Sequence, residues 1–154
     1  METSRKVIGK RTYVENDELD LMAKKVIESE GLDTADAVIK CMIVYPYVSK
    51  TVAGRCIRST NELRYFSECD FIIQMSGDLW DNLNDKTREV LMHHELLHVG
   101  YTLDKEGNVK YTIVKHDIED FSVIVDKYGL DWFHTLRDEA VKLDPKIDPK
   151  SIKL

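Results

Sequence analysis

Apolar residues at two different spacings divide the chain into helices and strands before any chemistry is considered. Leu19, Met22, Ala23, Val26 and Ile27 recur at the spacing of one helical face, behind Asn16 or Asp17 as a cap and ahead of Gly31 as a stop. The run Val38-Ile39-Lys40-Cys41-Met42-Ile43-Val44, closed by Tyr45-Pro46, has β texture. Residues 51–58 form a weaker strand pattern, and residues 59–69 read as a loop. A third strand is expected over 71–75, stopped by Ser76-Gly77. The polar residues 1–15 allow one short strand at most.

The second half of the chain alternates helical and hairpin patterns. Asp81, Asn82 and Asn84 offer caps for a helix over 86–98, whose Val90, Leu91, Leu96 and Leu97 occupy more than one face, as in a helix buried beneath a sheet. Gly100 is placed to stop it. Arms at 101–103 and 109–114 flank a hairpin turn over 104–108. A further helix is expected to start at His116, with Ile118, Phe121, Val125 and Tyr128 on one face and Gly129 ending it. The last helix begins at Asp131 and carries Trp132, Phe133, Leu136, Ala140 and Leu143. Pro145 and Pro149 cannot continue it, so a disordered tail is expected over 145–154. These elements predict an α+β fold: a small mixed, partly antiparallel sheet packed on the 86–98 helix and flanked by N-terminal and C-terminal helices, in one domain over residues 1–144.

Composition narrows the setting. Hydrophobic residues at 43% are ordinary for a globular protein, and no apolar run approaches the roughly 20 residues of a membrane span. The first residues lack the apolar core of a signal peptide. A net charge of −6 argues against sequence-independent nucleic-acid binding, which needs a cationic surface. Cys41, Cys56 and Cys69 are odd in number and lack Cys-x-x-Cys spacing, which fits reduced thiols in a cytoplasmic protein.

The stretch with specific chemistry is His94-Glu95-Leu96-Leu97-His98, a His-Glu-x-x-His motif on the predicted helix. Residues four apart share a helix face, so His94 and His98 present two imidazoles to one metal ion while Glu95 stands beside them as a general base. A catalytic zinc takes three protein ligands and leaves one position for water. His93 points about 100° away from His94 and reads as a partly exposed or supporting residue, and His134 belongs to the last helix's pattern. His116 follows a hairpin that returns the chain toward the motif, and a helix N-terminus there would favour the neutral imidazole a metal needs. Glu119 is the rival third ligand, with Asp117 and Asp120 behind it. Tyr101 and Tyr111 are candidates for steadying an oxyanion, although packing or hairpin positions suit each better.

Trp80, the run His93-His94-Glu95-Leu96-Leu97-His98-Val99-Gly100 and then His116-Asp117-Ile118-Glu119-Asp120-Phe121 resemble the putative phage metallopeptidase family, and more distantly the SprT-like zincins. The likeness runs from the first helix to Gly129. It implies a zincin-like fold, one Zn²⁺ held by His94, His98 and His116, catalysis by Glu95, a protein or peptide substrate, and a phage or prophage origin with action in the host cytoplasm. The expected reaction is zinc-dependent hydrolysis of peptide bonds, with the strand over 71–75 as the sheet edge on which substrate pairs. The alternative is a zincin-fold zinc protein that acts as a non-catalytic adaptor or regulator.

Overall fold

A computed structural model describes residues 2–116, 121–129 and 131–154. Seven strands and six α-helices occur among them. In chain order these are β1 (Glu2–Ile8), β2 (Arg11–Asn16), α1 (Asp17–Glu30), β3 (Ile39–Tyr45), β4 (Gly54–Arg58), α2 (Asn61–Ser67) and β5 (Phe71–Ser76). They are followed by α3 (Gly77–Asn82), α4 (Asp85–Leu96), β6 (Val99–Leu103), β7 (Val109–Ile113), α5 (Ser122–Tyr128) and α6 (Asp131–Leu143). The main sheet has the order β1-β2-β3-β5-β4, while β6 and β7 form a separate antiparallel pair. Only β3 and β5 run parallel, so the sheet is mixed and the α+β expectation is met. None of the described helices is long and apolar enough to cross a membrane.

Local chemistry explains most boundaries. The Asn16 side chain accepts from the Leu19 N–H at 2.7 Å, Asp17, Glu18 and Asp20 put acid in the first turn of α1, and Gly31 ends the helix in the left-handed conformation. Asn84 caps α4 in the same way through the Thr87 N–H at 2.8 Å. Alternation along β3 and β5 turns Cys41, Ile43, Phe71, Ile73 and Met75 to one buried face. Helices α1 and α4 lie against this sheet, and Leu19, Ala23, Val26, Val90, Leu91 and Met92 share its core. Trp132, Leu136 and Ala140, four apart along α6, extend that core toward α3 and α4.

Five expectations are corrected. Residues 1–15 hold two strands, because Ile8 and Arg11 pair across a turn that Gly9 opens at φ 61°. Residues 59–69 are not a loop: Thr60 accepts from the Leu63 N–H and starts α2, a helix with no buried residue. The strand over 71–75 is not an edge, since β5 lies between β3 and β4 and β4 takes the margin. Gly100 does not stop a helix but sits inside β6, where a Cβ would meet Val114 Cγ2 at 2.5 Å. The segment 145–154, expected to lack structure, contains a 3-10 turn at Pro149–Ser151, and Ile152 is buried. Lys153 there donates to Thr51 O at 2.6 Å and accepts from Ala53 N at 2.9 Å.

The junction between β5 and α3 depends on a missing side chain. A Cβ on Gly77 would stand 2.6 Å from Cε1 and 2.7 Å from Cγ of Tyr45, whose hydroxyl is held by Asp81 at 2.9 Å. The ring cannot yield without giving up that bond. Gly77→Ala is expected to lower unfolding stability by about 1–3 kcal/mol, the usual cost of overpacking, as a reduced urea midpoint at constant slope.

Candidate metal centre

The end of α4 is where the site is built. After Leu96 the helix tightens: the His98 N–H bonds back to Glu95 O at 3.1 Å, an i to i−3 contact. This keeps His98 one turn from His94, with the rings 5.3 Å apart. The chain then enters β6, and β7 returns alongside it with Val99 opposite Ile113. The next rung pairs His98 with Val114. The Val114 N–H donates to His98 O at 2.7 Å, but the His98 N–H is already committed to the helix. The imidazole completes the rung instead: Nδ1 lies 2.7 Å from Val114 O and donates to it. A carbonyl can only accept, so the proton sits on Nδ1 and the lone pair is left on Nε2.

Two residues beyond Val114, the returning chain delivers His116. Its Nε2 lies 3.0 Å from His94 Nε2 and 3.0 Å from His98 Nε2, and one nitrogen from each of the three rings falls within 4.8 Å of the others. One imidazole nitrogen with one proton or one lone pair cannot serve two such neighbours, whereas a cation at their centre would. Nitrogens about 2.1 Å from a tetrahedral ion stand roughly 3.4 Å apart, close to the spacing seen. The group could therefore hold a metal ion. His94 is buried, and Phe121 packs its ring 5.2, 5.0 and 5.1 Å from those of His94, His98 and His116. Trp132 of α6 adds a second aromatic wall, 6.1 Å from His94.

The sequence-predicted residues thus sort clearly. His94, His98 and His116 come together, but His116 is not at the start of α5, which begins at Ser122; among the described residues it is the β6–β7 hairpin that brings it there. Glu119, Asp117 and Asp120 lie outside the described residues. His93 is fully buried rather than partly exposed and turns away to the Tyr128 hydroxyl at 3.0 Å, fastening α4 to α5. His134 is exposed. Tyr101 bonds to Asp33 and Tyr111 to Ala35 O at 2.8 Å, so both fasten the hairpin to the 33–35 loop and neither serves the metal centre.

Glu95 is buried, with Oε1 3.9 Å from His98 Nε2. Its other oxygen faces β4: a Cβ on Gly54 would come within 3.3 Å of it. Nothing in the motif pointed to Gly54, although a glycine inside a strand often marks such a close approach. The bonds Ser59 N to Asp70 O and Ser76 N to Ala53 O, both 2.9 Å, set the phase of the β4–β5 ladder. Arg55 and Ile57 therefore bond inward to β5, and Gly54, Cys56 and Arg58 turn their backbone N–H and C=O outward along the sheet margin. The buried carboxylate thus lies beside a strand edge that no described strand pairs with.

The family model described as putative phage metallopeptidase matches residues 11–142, a span that holds the three histidines and Glu95, and the chain belongs to that family. Among curated proteins and among solved structures, nothing matches.

Burial pushes the thiols of Cys41, up to about 12, and Cys56 upward, and the Glu95 carboxylate adds to the effect at Cys56. A raised pKa means less thiolate at a given pH, and the thiolate is the reactive form. At pH 8 both thiols should alkylate with iodoacetamide at least about a hundredfold more slowly in the folded protein than in urea. Peptide mass mapping checks this, and comparable rates in the two states would contradict it.

Proposed function

We propose, from the premise that the chain belongs to the putative phage metallopeptidase family, that it is a zinc-dependent endopeptidase of zincin type. The observation that carries this reading is the convergence of three imidazole nitrogens beside a buried glutamate of the same helix. In it His94, His98 and His116 hold one Zn²⁺, a donor set of neutral nitrogens that suits zinc. Bound there, the ion supplies Lewis acidity to a substrate carbonyl and makes water acidic near neutral pH.

The chain's own residues supply the remainder. The Val114 carbonyl holds the His98 ring in the tautomer that offers Nε2, as an acceptor behind a ligand histidine commonly does. Glu95, next to His94 in sequence and near His98 Nε2 in space, takes the proton of the attacking water and passes it to the leaving amine. The substrate backbone pairs with the outward groups of Gly54 and Cys56 on β4, which sets its scissile bond beside Glu95. Edge pairing moves from the strand over 71–75 to β4 because β5 has no free side. Phe121 and Trp132 exclude bulk water from the opposite flank. Three cysteines without disulfides suit action in a reducing cytoplasm.

Metal analysis and cleavage of an unfolded protein such as reduced casein, on the same samples, test the reading. Wild type should carry one zinc per chain and cleave. Glu95→Gln should keep the zinc and lose activity by about 10²–10⁴-fold. His116→Ala should lose zinc by at least about tenfold in affinity, with its melting temperature in excess chelator unchanged. Full activity in Glu95→Gln, or stoichiometric zinc in His116→Ala, would end the proposal.

A further inference from the structure

The β4 edge leads away from Glu95 to a second feature. Four residues beyond Gly54, about 13 Å at strand rise, Arg58 marks one wall of a cavity of about 380 Å³ that Ser59, Arg64, Lys110 and Tyr111 also line. Its charge runs against that of the whole chain, which carries −6. Asp70 is the acidic residue in the lining, and it is already engaged: Oδ1 pairs with Arg64 Nε at 3.0 Å and Oδ2 accepts from Val38 N at 2.8 Å. Arg58 and Lys110 take part in no ion pair among the described residues, and the Arg58 guanidinium reaches only the Tyr111 carbonyl, at 3.3 Å. Ser59, 4% exposed, has a buried hydroxyl with no hydrogen-bond partner. A buried hydroxyl without a partner is costly and uncommon, and a ligand acceptor would satisfy it.

We propose that this cavity is a specificity subsite for an acidic side chain of the substrate polypeptide. The inference rests on the peptidase reading for the path of the chain along β4. A strand pairing antiparallel to β4, the more stable arrangement, runs from Arg58 toward Gly54. Its N-terminal portion then crosses the cavity, and the acid lies about four residues before the scissile bond. Arg58 and Lys110 meet the carboxylate with charge, while the Ser59 hydroxyl donates to it. The site selects substrates at a distance from the chemistry, by binding.

Two fluorescein-labelled, otherwise neutral twelve-residue peptides, one with a Glu-Glu pair and one with Gln-Gln, test this by anisotropy at low salt. Glu95→Gln protein with zinc and wild type stripped of metal keep the peptides intact and serve as independent backgrounds. The Glu-Glu peptide should bind about five- to tenfold more tightly, a preference that added salt reduces. Arg58→Ala with Lys110→Ala should bring the two peptides within twofold, and Ser59→Ala should narrow the gap while leaving the melting temperature unchanged. Arg58→Lys should retain most of the preference. Equal binding by the parent protein, a preference that survives the double substitution, or displacement of the acidic peptide by a lower concentration of a short single-stranded oligonucleotide would overturn the subsite. Selective binding by a wild type that never cleaves keeps the subsite and removes the peptidase. Cleavage indifferent to upstream acid does the reverse.

Discussion

One hydrogen bond organises the centre: the His98 imidazole to the Val114 carbonyl. The backbone N–H of His98 cannot serve both the helix and the hairpin, and the helix takes it. The side chain then fills the vacant rung, so one residue closes α4, opens the β6–β7 ladder and aims its own Nε2. This constraint also positions His116, because the strand that pairs with His98 carries it two residues further on. The angle between helix and hairpin and the spacing of the ring nitrogens are therefore one variable rather than two. Gly100 serves the same geometry, since any Cβ there would push back the Val114 side chain.

The sheet imposes the second constraint. β5 enters between β3 and β4, parallel to one and antiparallel to the other, so its backbone is satisfied on both sides. Its composition agrees: Phe71, Ile73, Gln74, Met75 and Ser76 are all buried. β4 carries Arg55 and Arg58 and begins at Gly54, which is how natural edge strands look. The edge was therefore legible from composition. The strand over 71–75 carries no charged residue, whereas β4 bears the charge pattern that marks an edge.

What the sequence disclosed depended on whether the signal was local. Caps at Asn16 and Asn84, the αL stop at Gly31 and the alternation along β3 all act within a few residues, and the corresponding elements form where expected. β1 and α2 were hidden for the opposite reason. Their described side chains are almost wholly exposed, so no periodic burial is written into them. The C-terminal segment docks through Ile152 and two backbone bonds, too little to register as a pattern. In the site, the pair His94 and His98 is fixed by helical spacing, and the hairpin made His116 its natural companion. The helix expected to begin at His116 is seen from Ser122 on, so the start of α5 is not what places this histidine. Gly54 and Phe121 belong to the site only through tertiary contact, which spacing does not encode.

The two flanks of the histidine cluster differ in kind, and the difference assigns them different tasks. On the α5–α6 flank, Phe121 touches all three imidazoles and Trp132 stands behind one of them. An aromatic ring in that place cannot take the ring-nitrogen lone pairs, as a hydroxyl or carboxamide would, and it keeps out water that would compete for a cation. It also lowers the local polarity, so charge interactions inside act with less screening. On the β4 flank there is the Glu95 carboxylate, and Gly54 leaves room for it by having no side chain at all. A polar chain approaching the histidines would lose hydrogen bonds along the aromatic side and gain them along the strand. On the peptidase reading that asymmetry would set the direction of approach, along β4 toward Arg58 and its cavity.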